Sequence, residues 1–189
     1  MDAFTMLRED HREVEKLFKR FEKAGPNAHK TKRDLVDRVV EALSLHAAIE
    51  EQAFYPAVRE AVPDVEGTVL ESLEEHHIVK WTLSELDGMA PDHERFDAKV
   101  TVLIESVRHH VEEEEQEMFP LVRKAIGRKR LQEIGEAMEK TKKLAPTRPH
   151  PRAPDTPPGN VVTGPAAGVL DRVRSAGRKA AKRAREAAP

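Results

Sequence analysis

The sequence predicts an all-α protein: an up-down four-helix bundle, a short fifth helix, then a Pro-rich linker and a basic C-terminal tail. Three observations carry that reading. Apolar residues recur at helical spacing through four successive stretches, aromatic residues make up only 4% of the chain, and the breaks between stretches are short. Short connections between long helices favour antiparallel neighbours, which is the up-down arrangement.

The first helix is marked by Leu7, His11, Val14, Phe18 and Phe21, one stripe at 3.6 residues per turn. The run AGPNA (24–28) ends it, because Gly and Pro both interrupt a helix. Val36, Val39, Leu43, His46, Glu50 and Ala53 mark the second, which stops near VPD (62–64). The third carries Val69, Leu73, His76, Val79, Leu83 and Leu86 up to GMAPD (88–92), and the fourth Phe96, Val100, Leu103, Val107, His110, Glu114 and Leu121. After Gly127, Leu131, Ile134 and Met138 mark a shorter fifth helix that caps the bundle.

Residues 145–165 hold seven prolines and read as an extended linker with neither helix nor core. Residues 166–189 read as a basic Ala/Arg-rich tail, helical or disordered. Charge divides at the same place: residues 1–145 carry 23 Lys+Arg against 31 Asp+Glu, and the remainder nine against three. Val169, Leu170 and Val173 with seven Arg/Lys suit an anionic partner, either lipid or nucleic acid, and no aromatic accompanies them for base stacking.

With 189 residues there is room for one compact domain plus appendages. The absence of cysteine excludes disulfides and thiolate ligands, leaving His, Asp, Glu or Tyr for any metal. The start, MDAFTMLREDH, lacks the apolar stretch of a signal peptide, and no run reaches the ~18 apolar residues of a membrane span. A cytoplasmic protein is expected.

The chemistry lies in a phrase written twice, HAAIEEQAFYP (46–56) and HVEEEEQEMFP (110–120). His11, His46, His76 and His110 each fall inside the apolar stripe of their own helix. Glu50 and Glu114 lie one turn beyond His46 and His110, on nearly the same face. Six polar groups therefore point into the bundle. Burying two carboxylates without compensation is expensive, and a metal turns them into ligands. His76 is chosen over His77 because it shares the register of Val69, Leu73 and Leu83, and His110 over His109 because the repeat aligns it with His46. His29, His93 and His150 stand in loop-like context and are expected to be solvated.

The order His, His-x-x-x-Glu, His, His-x-x-x-Glu over residues 1–144 resembles the hemerythrin-like, or HHE cation-binding, domain. The resemblance implies two non-haem iron ions, with a bridging oxo, hydroxo or water species, inside a four-helix bundle. His11, His46, His76 and His110 would be terminal ligands, with Glu50 and Glu114 bridging. Oxygen-carrying hemerythrins hold a further histidine where this chain has Lys80, and their second bridging carboxylate follows its histidine by five residues rather than four. One nitrogen ligand fewer leaves a coordination position for water, an exogenous ligand, or His77, Tyr55 or Glu51. Tyr55 faces away from His46 on an ideal helix and would need a local distortion, which Pro56 could supply. The functions implied are binding or reduction of O2, NO or H2O2, with a peroxidase-like, catalase-like or NO-handling activity. The alternative is an oxygen-, iron- or redox-sensing module acting through the basic tail.

Overall fold

The structure, a computed structural model, describes residues 1–186, and among them no strand occurs. Helix α1 (Ala3–Glu22) starts at Asp2, whose side chain accepts the Thr5 N–H at 2.9 Å, a standard N-cap. Helix α2 (His29–Ile49) runs without a break through a π turn, Glu50–Phe54, into α3 (Tyr55–Ala61). A 3₁₀ turn, Pro63–Val65, then leads to α4 (Glu66–Leu86). Gly88 follows with φ +89°, a left-handed conformation that glycine adopts without steric cost. Helix α5 (Phe96–Glu113) passes through a second π turn, Glu114–Met118, into α6 (Phe119–Ala125). Helix α7 (Arg128–Leu144) packs across α1, α2 and the first π turn as the expected cap.

The four rods pair as α1 on α2 and α4 on α5. Their apolar faces form two separate clusters rather than one. One contains Phe4, Leu7, Phe54, Phe119 and the α7 residues Leu131, Ile134 and Met138. The other contains Val14, Phe18, Leu43, Leu83, Phe96 and Val107. The interruption is the layer of buried histidines and glutamates. Each inward histidine sits where its helix passes from one cluster to the other, between Leu7 and Val14 on α1 and between Leu73 and Val79 on α4.

The C-terminal part departs from the expected linker. Residues 146–158 are irregular, but α8 (Gly159–Glu186) begins inside the Pro-rich stretch and carries Pro165 within it. Two of its polar residues, Asn160 and Asp171, are buried. Asp171 accepts the backbone N–H groups of Thr147 and Arg148 at 3.1 and 3.0 Å and stands 3.1 Å from His150 Nε2, so His150 is held rather than solvated. The proline-rich segment is thus pinned by hydrogen bonds to α8, which a periodicity argument does not detect. Residues 187–189 of the tail, and the side chains of Arg178, Lys179, Lys182, Arg183 and Arg185 on which an anionic partner would rest, lie outside the described residues. No helix among the described residues is long and apolar enough to cross a membrane.

Candidate metal centre

All six residues singled out in the sequence are buried and converge. Donor atoms of His11, His46, Glu50 and Glu114 lie within 4.8 Å of one another, and so do those of Glu50, His76 and His110. Glu50 belongs to both groups: its Oε2 is 3.2 Å from His46 Nε2 and 3.4 Å from His76 Nε2. Glu114 reaches across in the same sense, with Oε2 3.4 Å from His11 Nε2 and 3.8 Å from His110 Nε2. His109, by contrast, is exposed and paired with Glu113 on the surface.

Each imidazole turns Nε2 inward and Nδ1 outward, and each Nδ1 faces a carboxylate. His11 Nδ1 donates to Glu115 at 2.7 Å, His76 Nδ1 to Glu51 at 3.0 Å and His110 Nδ1 to Glu75 at 2.7 Å. His46 Nδ1 stands 3.9 Å from Asp10, an ion-pair distance rather than a hydrogen bond. A carboxylate accepts only, so it fixes the proton on Nδ1 and leaves the Nε2 lone pair pointing to the centre. These outer groups repeat with the inner ones. Asp10 and Glu75 immediately precede His11 and His76, while Glu51 and Glu115 immediately follow Glu50 and Glu114. That duplicated flank is the sequence signal by which they could have been found.

The residues weighed for an open coordination position separate cleanly. His77 is exposed and accepts from Trp81 Nε1 at 3.0 Å, away from the centre. Glu51 lies on the outer side, also accepting from the buried Lys80 at 2.8 Å. Tyr55 is at the centre: its hydroxyl donates to Glu114 Oε1 at 3.0 Å. The distortion that brings it there is the π turn before Pro56. One inserted residue rotates the following helix by about 100° relative to an unbroken α-helix. The equivalent position in the second half is Phe119, whose ring stacks near His11 at 6.4 Å between centroids.

Metal-free, the arrangement is electrostatically poor. His11 Nε2, both nitrogens of His46, both oxygens of Glu50 and Glu114 Oε2 are buried without a hydrogen-bond partner. Burial pushes His46 down to about 4 and also lowers His76. Burial and then the neighbouring Glu114 raise Glu50 well above the usual carboxylate range. Burial would raise Glu114 as well, but His110 and His11 beside it hold it low. Among the described residues, the six carboxyl groups of the two layers meet three cations at their edge, Arg8, Lys80 and Lys142. Converging imidazoles, excess carboxylate and orphaned inward atoms fit cations at the centre.

A cavity of about 680 Å³ runs from the four histidines to the surface between α1 and α5, walled by Val14, Phe18, Leu43, Val79, Val107 and Val111. At its mouth Arg108 ties α5 to α1 through Glu15 at 3.0 Å and Glu22 at 2.8 Å. Small molecules therefore have an apolar approach to the centre.

Residues 2–122 match the family model described as hemerythrin HHE cation binding domain. The chain is 29% identical over 167 residues to an uncharacterized hemerythrin-like protein of Schizosaccharomyces pombe, covering 87% of this chain and 81% of that one. It is 27% identical over 127 residues to a DNA nickase of Nostoc sp., which is 67% of this chain but 35% of that protein. The crystal structure of a hemerythrin HHE cation binding domain-containing protein from Mycobacterium kansasii aligns with a TM-score of 0.64 at 24% identity, over 76% of this chain and 86% of that chain. At that identity the likeness speaks to the fold.

Proposed function

The chain belongs to the hemerythrin HHE cation-binding domain family, and we propose that its buried His/Glu layer holds two iron ions that bind or reduce O2, NO or H2O2. His11 and His46 would serve one ion, His76 and His110 the other, with Glu50 and Glu114 shared. One observation carries this reading: His76 Nε2 and His110 Nε2 stand 3.3 Å apart while both Nδ1 atoms are occupied by carboxylates. At that distance the two Nε2 atoms either share one proton, which leaves an imidazolium in a buried site, or turn both lone pairs toward a cation, the arrangement that the unpartnered inward atoms around them favour. Imidazole with carboxylate and no sulfur suits iron. Bound there, iron supplies redox chemistry and a coordination position for a small ligand.

The protein's own part is positional. The outer carboxylates hold four rings with their lone pairs converged, and the Tyr55 hydroxyl restrains Glu114. The valine-rich cavity wall admits uncharged diatomic or peroxidic molecules more readily than ions. The docking of α8 beside Glu51 favours a second reading, a sensor whose C-terminal segment reports the state of the centre. Protein purified from iron-replete cells is expected to contain two irons per chain, with oxo-to-iron charge-transfer bands in the near ultraviolet. No metal, or a single zinc that resists exchange, would refute the di-iron reading. Consumption of peroxide by the iron-loaded chain separates catalysis from sensing.

A further inference from the structure

The two π turns leave the same backbone group without a helical donor. In the first, the Tyr55 N–H bonds the Glu50 carbonyl. It is therefore spent, and the next residue, Pro56, has no N–H to offer Glu51. In the second, the Phe119 N–H bonds the Glu114 carbonyl and Pro120 follows, so Glu115 is in the same position. A buried carbonyl without a donor is costly.

For Glu51 the donor arrives from the C-terminal helix. Asn160 Nδ2 donates to the Glu51 carbonyl at 3.1 Å and to the Asp155 carbonyl at 2.8 Å. Asn160 is 3% exposed, on a helix that begins 37 residues beyond the family match at 122. The close approach depends on Gly168, where a Cβ would strike the Leu144 and Ala145 carbonyls. Glu51 is also the residue whose carboxylate holds His76 Nδ1 and Lys80. A single residue thus links α8 by its backbone and one imidazole of the centre by its side chain.

We propose that Asn160 is a positioning residue for the metal centre. It supplies the donor that Pro56 withholds, fixes the π turn carrying Glu50 and Glu51, and through Glu51 sets the ring of His76. Among the rings, its effect falls on His76 and not on His11, whose partner Glu115 lies in the other π turn. The metal consequence rests on the di-iron reading above; the effect on the turn does not.

The test uses the full chain as wild type, Asn160→Ala, the isosteric Asn160→Asp, Pro56→Ala, and Pro56→Ala with Asn160→Ala. Metal-free protein is followed by amide hydrogen exchange across residues 50–55 and by the NMR signal of the His76 Nδ1 proton. Iron-loaded protein is followed by the rate of iron loss to a chelator. Both Asn160 variants should exchange faster across the turn and shift the His76 signal while that of His11 stays in place. They should lose iron about tenfold faster, the range typical for outer groups of a metal site. Pro56→Ala returns a backbone N–H to the turn, so adding Asn160→Ala in that background should change the iron-loss rate by less than about twofold, a coupling that separate roles would not give. Wild-type values in the Asn160 variants overturn the proposal. So does faster exchange spread over the whole chain without rescue by Pro56→Ala. A chain that holds no iron, yet shows the local exchange, the His76 shift and the rescue, refutes the di-iron reading and supports the role of Asn160.

Discussion

Glu50 has no exposed surface and neither of its oxygens has a hydrogen-bond partner, although it stands at the meeting point of both histidine pairs. Such a residue harms the metal-free fold and supports the loaded one, which gives a prediction whose sign depends on the metal. Glu50→Leu, similar in volume and apolar, is expected to raise the melting temperature of the metal-free chain, since an unpaired buried polar group costs about 1–3 kcal/mol. The same variant should lower that of the iron-loaded chain, because metal-binding free energy is folding free energy. Thermal unfolding with and without iron checks both signs, and lower melting in both states would make Glu50 a packing residue only. His29→Ala should change neither, as that exposed ring bonds the Pro91 carbonyl at 3.2 Å, away from the centre. Tyr55→Phe removes the donor to Glu114 while leaving a ring of the kind Phe119 already places in the other half. It should keep its iron and cost no more than about 1.5 kcal/mol in stability, but shift the charge-transfer spectrum.

At the scale of the element, the π turns explain which features the sequence made legible. Periodicity places His11 and His76 because α1 and α4 contain no π turn, and His46, Glu50, His110 and Glu114 because none lies beyond the first residue of one, where the 3.6-residue phase still holds. Tyr55 lies after one, so an ideal helix puts it on the wrong side. Pro56 hinted at a distortion, but the register changes in the turn ahead of it. The outer carboxylates stayed hidden for another reason: among 34 acidic residues, an Asp or Glu next to a ligand looks like part of a solvated face. The separation of α1 from α5 was not legible either, since both helices carry ordinary apolar stripes and the cavity arises from how they are spaced. Filling that space gives an element-scale prediction. Val107→Phe should narrow the passage, leave iron content unchanged, and slow the arrival of NO or peroxide severalfold in stopped-flow measurements. Unaltered rates would place the entry route elsewhere.

At the scale of the whole molecule, the division of charge at residue 146 has a structural counterpart, because Arg148 and Arg172 of the basic segment lie against the acidic bundle. Arg148 pairs with Asp87 at 2.7 Å, and Arg172 donates to the Lys143 carbonyl at 2.6 Å. Ala145, the last residue of the bundle side, is itself 1% exposed. A chain ending at Ala145 retains α1 to α7, all six inward residues and the family match of residues 2–122, so it should fold and take up iron. It also loses the cover over Ala145 and the only donor to the Glu51 carbonyl among the described residues. The truncated chain should therefore melt lower than the full one and release iron to a chelator about tenfold faster, as an outer-layer defect does. Raised salt weakens exposed ion pairs but leaves the buried Asn160 contact largely unscreened, so the full chain in high salt should remain closer to itself than to the truncated form. If an anionic lipid or nucleic acid binds the C-terminal helix, that association should vanish with truncation and weaken with salt. Equal iron retention in both chains would confine the support of the centre to α1–α7 and leave the docked helix without a part in it.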